Sequence, residues 1–381
     1  MKEHYHFIGI GGSGMGPLAF LMLAKGCKVS GSDLKESPVI EQLREKGAEV
    51  FIGHKAENVQ GAQVLVYSSA VTAENPEMIE AKRLDVPILR RAQLLAQMMN
   101  AQTGVSVAGA HGKTTTASMI SNLLIKAGFC PTTAVGGIVN GASSSAALGD
   151  GKYFVAEMDE SDGTFLYFYP RYAVVTNIDF EHVDYYHTFD NILAGYKKFM
   201  QQVSHDGYLF AWGEDPNLRR LASDLRCKVL TYGFEKNNDI YADNITANEQ
   251  GGSYDCYYQG KKIGRIELVI PGKHNILNSL AAVGIGMLMG IDSKVIQSSL
   301  KEYRGVQRRF SIRGTVNEVM VVDDYGHHPT EIKATIATAR LFKPKRLVTV
   351  FQPHRYTRTK FLMEEFADTL ALTDYLILTD I

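Results

Sequence analysis

The sequence contains no CxxC pair. Its four cysteines, Cys27, Cys130, Cys227 and Cys256, are scattered through 381 residues. That spacing excludes a zinc ribbon and a dithiol redox motif, and reduced thiols in a cytosol are the simplest expectation. A run of about 18 apolar residues is missing, as is an apolar signal segment, so no membrane insertion is expected. Excess charge of one sign is also missing. The 40 Lys and Arg against 41 Asp and Glu leave a formal net charge of −1. This excludes a general polyanion binder, so no nucleic-acid partner is expected, although local basic sites remain open. What is present, 45% apolar and 21% charged residues, is the composition of a soluble globular protein. The length exceeds one ordinary core, and two or three domains are expected.

The chain is organised around the stretch Val107-Ala108-Gly109-Ala110-His111-Gly112-Lys113-Thr114-Thr115-Thr116. Thr103 to Val107 reads as a strand. Ala117, Ile120, Leu123, Leu124 and Ala127 share one face of a following helix, which Gly128 stops. Strand, Gly-rich turn, Lys-Thr and helix together form the context of a phosphate-binding P-loop. Gly109 and Gly112 let backbone N–H groups close on phosphate oxygens. Lys113 reaches the β- and γ-phosphates, the Thr114 hydroxyl suits Mg²⁺, and the helix N-terminus adds a positive dipole. Val107 departs from the general pattern, which has its first glycine there.

Upstream, Tyr5 to Ile10 reads as a strand, which runs into Gly9-Ile10-Gly11-Gly12-Ser13-Gly14-Met15. A helix from Pro17 to Lys25 and a strand from Lys28 to Ser32 follow, ending at Asp33. This is G-x-G-x-x-G in a βαβ unit with an acid about 20 residues on, the pattern of NAD binding. The physics supports a broader statement: a phosphate-bearing ligand can approach the backbone of Gly11 to Gly14 at a helix N-terminus. The βα rhythm continues to about residue 100, which predicts a parallel, doubly wound domain. Ser68, Ser69 and Ala70 lie just past a strand's carboxyl end, where such folds bind ligands, or are ordinary loop residues.

After the P-loop helix comes a glycine-rich loop, Gly136 to Ala142 with three serines after it. It is a substrate-contacting loop or a connector. A strand, Tyr153 to Ala156, then ends in Glu157-Met158-Asp159-Glu160-Ser161-Asp162. A P-loop domain needs a strand-end carboxylate for Mg²⁺, and Glu157 is the choice. The next strand, Ala173 to Ile178, leads to Asp179-Phe180-Glu181-His182. In the same βα register, His182 becomes a candidate ligand of a second metal site that could accept Mn²⁺. Residues 208–270 break into short β-like runs and predict a small, mostly antiparallel extension. Then His274, Asn275 and Asn278 open a helix. The two asparagines share a face and could read a purine edge, or could simply cap the helix.

The last segment carries Arg308-Arg309 and a strand, Val319 to Val322, ending in Asp323-Asp324-Tyr325-Gly326-His327-His328-Pro329-Thr330-Glu331. A further strand ends in Phe351-Gln352-Pro353-His354-Arg355-Tyr356-Thr357-Arg358. Arg308, Arg309, Arg355 and Arg358 at strand ends suit carboxylate or phosphate, with a solvated basic rim as the alternative. A strand from Tyr375 to Asp380 with no following helix leaves a sheet face uncovered, so the chain is expected to be part of a longer protein.

Taken together, GIGGSGM, AGAHGKTTT, EMDESDGTF, TNIDFEHVDYY, KHNILNSLAA, QRRF, DDYGHHPTEI and FQPHRYTRT resemble the Mur ligases. The resemblance spans the chain in order and accommodates Val107, because these enzymes use a shortened P-loop. It implies an α/β, three-domain architecture. A Rossmann-like UDP-sugar domain would span 1–101. A central P-loop ATPase domain with a small β extension would span 102–305, and an incomplete Rossmann-like domain for the amino acid 306–381. The last two motifs resemble the branch that adds L-alanine to UDP-N-acetylmuramate, with the branch that recycles murein tripeptide as the alternative. A nicotinamide dehydrogenase or a nucleotide-gated binding module would be readings of another class. The resemblance moves Gly11, Gly12, Ser13, Gly14 and Met15 from NAD to the UDP-sugar diphosphate, with Asp33 and Ser69 on the same substrate. Gly109, His111, Gly112, Lys113, Thr114 and Thr115 match the ATP site, with Thr114, Glu157 and His182 as metal ligands. His274, Asn275, Asn278 and Asp324 match nucleotide contacts, and Arg309 a phosphate contact. Tyr325, His327, His328, Arg355 and Arg358 match the alanine region. His182 or His327 would deprotonate the amino acid, and the enzyme would act as a monomer or homodimer.

Overall fold

The computed structural model describes residues 2–141 and 144–381. The last residue of the expected Gly136–Ala142 loop and the first of its serines lie outside that range. The amino-terminal sheet is built from β1 (His4–Ile8), β2 (Lys28–Asp33), β3 (Glu49–Ile52), β4 (Val64–Tyr67) and β5 (Ile88–Arg90). Its order is β3-β2-β1-β4-β5, with every pairing parallel. β1 is central and buried along its whole length, which the sequence HYHFI tolerates because its histidines are satisfied. His4 and His6 each place a ring nitrogen 2.8 Å from Ser30 Oγ. The first strand was expected to run to Ile10, but it stops at Ile8, where Gly9 turns the chain at φ +73°. The helix after it starts at Met15, two residues before the expected Pro17.

The second sheet contains β6 (Thr103–Ala108), β7 (Thr132–Ala134), β8 (Ala146–Ala147), β9 (Tyr153–Glu157), β10 (Tyr172–Val175), β11 (Tyr208–Trp212), β12 (Lys228–Gly233), β13 (Ile240–Asn248), β14 (Gly251–Tyr258) and β15 (Lys261–Leu268). Their order is β15-β14-β13-β12-β11-β10-β6-β9-β7-β8. β6 therefore lies between β10 and β9, parallel to both. Val107 pairs with Glu157, and Ala108 with Val175. That register brings three strand ends level, so the P-loop, Glu157 and the 176–182 segment emerge side by side. The helices Lys113–Lys126 and Lys273–Leu288 pack on each other over one face of this sheet. Their buried Ile120, Leu123, Leu280 and Val283 join Val105, Val107, Val155 and Val174 of the strands in one core.

Residues 208–270 depart from the mostly antiparallel extension read in the sequence. β11 and β12 continue the parallel sheet, and only β13–β15 form an antiparallel meander. The third strand was expected to reach Ile178 but ends at Val175, because Thr176 and Asn177 turn to hold the P-loop. The helix Phe189–Gln201, with Thr188 as its N-cap, had no reading in the sequence.

The remaining strands are the hairpin β16 (Ser311–Val316) with β17 (Val319–Asp323), and the parallel pair β18 (Val348–Phe351) with β19 (Tyr375–Leu378). The helix Pro329–Arg340 packs on this region through Ile332 and Ile336, against Phe351, Leu362, Phe366 and Leu370. All four cysteines are unpaired. No helix among the described residues is long and apolar enough to cross a membrane.

Candidate active site at the P-loop

The P-loop is fixed by both glycine geometry and side-chain pins. Gly112, at φ +81°, is the N-cap of the helix Lys113–Lys126. A Cβ there would come within 2.6 Å of Asn278 Oδ1, so a side chain is excluded on two counts. Gly109 is tighter still, since a Cβ would stand 2.1 Å from Thr176 Oγ1. Asn177 Oδ1 accepts from His111 N at 2.9 Å, and Thr176 Oγ1 donates to His111 O at 2.6 Å. Lys113 Nζ uses all three of its protons, donating to Gly109 O at 2.6 Å, Ala110 O at 3.0 Å and Glu160 Oε1 at 2.8 Å. Burial opposes its charge, but Glu160 and Glu157 outweigh burial and hold the ammonium pKa above its ordinary value.

Thr114 Oγ1 donates to Glu157 Oε1 at 3.0 Å, and Gly136 N donates to Glu157 Oε2 at 2.6 Å. Burial nevertheless pushes the Glu157 carboxyl pKa up, since Lys113, Thr114 and Gly136 compensate only in part. A half-buried carboxylate still short of positive charge, with a hydroxyl oxygen beside it, is a donor pair that suits a hard divalent cation. Next to it Glu160, Glu181 and His182 each offer a ligand atom, all within 4.8 Å of one another. Glu160 Oε2 and His182 Nδ1 are buried without a partner. The mixed oxygen and imidazole set fits a second, more tolerant ion.

Two cavities meet at this loop. The first, of about 540 Å³, is lined by Gly12, Ser13, Gly14 and Met15 on one side. Lys113, Glu157, His182, Arg309, Tyr325, His327, Arg355 and Arg358 line the others. The second, of about 830 Å³, is lined by His111, Thr115, His274, Asn275, Asn278 and Asp324. Gly112, Thr114, Arg309 and Glu331 border both. Asn275 and Asn278 do not cap their helix, whose N-cap is Gly272. Asn278 Nδ2 lies 3.4 Å from Asn275 Oδ1, and both side chains face the second cavity.

Five residues that the resemblance places in the site line neither cavity: Gly11, Asp33, Ser69, Gly109 and His328; Arg308, one of the four strand-end arginines, lines neither as well. Asp33 Oδ2 accepts from Gly11 N at 2.9 Å and so clamps the first glycine loop. The neighbouring Ser68 borders the first cavity. His328 caps the helix Pro329–Arg340, its Nδ1 accepting from Thr330 N at 3.3 Å. Asp324 accepts from Phe310 N at 2.8 Å and Gly326 N at 2.7 Å, which shapes the entry to that helix.

Sequence reasoning missed Arg91, Glu160, Glu181 and Glu331. Arg91 lies against Gly14, where an added Cβ would meet its Cδ at 3.1 Å. Nothing local in the sequence signals that approach, whereas Glu160, Glu181 and Glu331 all stood inside motifs already singled out. Arg358 lies 3.1 Å from Glu181 Oε1, both buried, so the basic rim is a set of paired charges at this point. His327 Nδ1 donates to Tyr325 O at 3.0 Å, which leaves Nε2 as the basic nitrogen. Burial, reinforced by Arg358, lowers its pKa despite nearby Glu331, so the imidazole is neutral near pH 7.

Comparison with known proteins matches all three segments of the chain. Residues 4–103 match the model described as Mur ligase family, catalytic domain. Residues 107–286 match the Mur ligase middle domain, and 308–381 the Mur ligase, glutamate ligase domain. A UDP-N-acetylmuramate–L-alanine ligase of Desulforamulus reducens is 46% identical over 99% of this chain and 82% of its own length. The protein of the same name from Aquifex aeolicus is 44% identical over 100% of this chain and 84% of its own. Among solved structures, the UDP-N-acetylmuramate-alanine ligase of Thermotoga maritima superposes with a TM-score of 0.85 at 30% identity, covering 99% of this chain and 85% of that one. A murein peptide ligase from Psychrobacter arcticus shares the fold, with a TM-score of 0.82 at 24% identity over 99% of this chain and 84% of that one. With its three consecutive segments each matched and 99–100% of its length aligned to these relatives, the chain belongs to the Mur ligase family.

Proposed function

We propose that the protein is an ATP-dependent ligase that joins L-alanine to the lactyl carboxylate of UDP-N-acetylmuramate, an early step in peptidoglycan precursor synthesis in the cytoplasm. The observation that carries this reading is the meeting of the two cavities at Gly112, Thr114, Arg309 and Glu331. A nucleotide whose base lies near Asn275 and Asn278 can thread its phosphates past the P-loop into the first cavity. A sugar nucleotide held by Gly12 to Met15 then meets the γ-phosphate from the other side. Relatives at 44–46% identity bear the name of this activity, which favours the alanine-adding branch over the tripeptide-recycling branch.

A lactyl carboxylate oxygen attacks the γ-phosphorus, the bond to the β-phosphate oxygen breaks, and ADP leaves. Lys113 and Arg309 neutralise the oxygens of the transferring group, and the P-loop N–H groups hold the β-phosphate. Thr114 and Glu157 would hold Mg²⁺, with Glu160, Glu181 and His182 for a second ion that tolerates nitrogen. Bound there, such ions screen the repulsion between anions. The amine of L-alanine, its carboxylate held by Arg355 or Arg358, attacks the acyl carbon. His327 Nε2 accepts the amine proton, and phosphate departs as the amide forms. Charge screening and positioning supply most of the rate.

The test combines calorimetry with an ADP-release assay. UDP-N-acetylmuramate should bind where NAD⁺ does not. ADP should form in proportion to amide when L-alanine is supplied, and not when murein tripeptide replaces it. Binding of NAD⁺ instead would restore the dehydrogenase reading, and ADP without amide would restore the nucleotide-gated module.

A further inference from the structure

The side chain of His111 has no task in a general P-loop, where the backbone at this position serves the phosphates. Its peptide is already held by Thr176 and Asn177, so the imidazole is free to act elsewhere, and it points across to the carboxyl-terminal region. His111 Nε2 donates to Asp179 Oδ2 at 2.9 Å. Nδ1 stands 3.4 Å from Glu331 Oε1, in the first turn of the helix Pro329–Arg340. The ring packs on His328 at a centroid distance of 4.7 Å. Thr330 Oγ1 donates to the same Asp179 oxygen at 2.8 Å, which closes a circuit between the two regions. Glu331 in turn accepts from His327 N at 3.0 Å through its other oxygen. One imidazole thus connects the phosphate loop to the backbone of the segment that carries Tyr325 and His327.

We infer that His111 is a positioning residue that clasps the segment Tyr325–Glu331 onto the P-loop and so couples the nucleotide site to the amino-acid site. The inference rests on the ligase reading for the identity of the two ligands.

The contact is ionic. Burial disfavours the imidazolium, but the carboxylates of Asp179 and Glu331 outweigh burial and raise its pKa to about 9. With the ring protonated, a positive charge separates two partly buried carboxylates that would otherwise face each other. A metal in its place is disfavoured by the hydrogen bonding. Asp179 Oδ2 already accepts from His111 Nε2 and Thr330 Oγ1, and His328 Nδ1 accepts from Thr330 N. The clasp also explains why Glu331 borders both cavities while Arg309 stands 3.8 Å from it: the residue that reads the P-loop sits between the two ligands.

The experiment is hydrogen exchange at the amides of residues 325–332, with and without a non-hydrolysable ATP analogue and Mg²⁺. It compares the wild-type chain, His111→Gln and Glu331→Gln. In the wild type the analogue should slow exchange across this segment. In each variant the analogue should still bind, as calorimetry reads directly, and the slowing should disappear. Steady-state kinetics should show the KM for L-alanine rising about tenfold in either variant, a coupling of ordinary size, and no further rise in the double variant. A merely structural role would weaken both ligands together, whatever its effect on thermal stability. Undiminished slowing in both variants overturns the inference. Failure of the wild type to bind the analogue overturns the nucleotide reading as well, so the two failures are told apart.

Discussion

The molecule holds two glycine loops that look alike in sequence and are physically different. Both follow a parallel strand, both open a helix, and both face the first cavity. The P-loop carries its own cation. Lys113 is compensated by Glu160 and held by two carbonyls, while Thr176, Asn177 and Asn278 pin or crowd the backbone. The loop Gly9–Met15 has no cation of its own and relies on backbone N–H groups, the Asp33 clamp at Gly11 and Arg91 from another helix. A reacting phosphate needs charge that is already in place before the transition state, whereas a diphosphate that is only bound needs a cradle. On the proposed function, the same motif grammar serves chemistry in one place and recognition in the other, and the neighbours set the difference.

The sharpest way to break that contrast is to remove each cation in turn. Lys113→Met should lower turnover by roughly three orders of magnitude, as expected for a charge aimed at a transferring phosphoryl group. The affinity for UDP-N-acetylmuramate measured by calorimetry should barely move. Arg91→Gln should do the reverse, weakening UDP-N-acetylmuramate by about tenfold, the value of one charge-assisted contact, with nucleotide affinity intact. Equal losses of both ligands in either variant would mean that the loops are not separable.

Backbone room offers a further contrast. Gly109→Ala places a methyl group against Thr176 in a left-handed conformation and should cost about 2–4 kcal/mol, read as a lower melting temperature. Gly12→Ala is tight only against Gly9 O, at 3.2 Å, with Met15 in ordinary contact, and should cost about 1 kcal/mol or less. A larger loss at Gly12 would show that the first loop is the more rigid one.

The smallest effect concerns pH. The His111 pKa is raised to about 9 from 6.5, so its ion pairs contribute fully below about pH 6.5 and are lost as pH rises through 9. Burial opposes ionisation of Glu331 and Asp179. The His111 contact, with His327 and Arg309 at Glu331 and His328 at Asp179, holds both carboxyls well below the usual range, so their share persists to low pH. The melting temperature of the wild type minus that of His111→Gln should therefore shrink between pH 7 and 10. The first loop contains no group that titrates there, and Arg91→Gln should give a difference that is flat with pH.

Much of this was legible in the sequence because it is local. Lys113, Thr114 and Gly112 announce themselves by spacing, and Glu157 by ending a strand. His274, Asn275 and Asn278 open one helix and face one cavity, where capping had been the alternative. Other features were not legible. Asp33 carries the signature of a ribose ligand, yet it clamps Gly11, because the strand that ends there returns beside the first glycine loop. β11 and β12 read as part of an antiparallel extension, because short strands broken by Gly and Asn look the same whichever way their partners run.

By itself the sequence determined the elements that need only neighbours along the chain: the α/β rhythm, the two glycine turns, the order of three matched segments and the family to which they belong. Only the tertiary structure decided which distant residues face one another. Arg91 reaches Gly14, His111 reaches Glu331, and Arg358 reaches Glu181 across separations of 77, 220 and 177 residues in the numbering. Such pairings depend on strand order and on how the helices cover the sheets. An ion pair a few ångströms wide has no periodicity from which a sequence could reveal it.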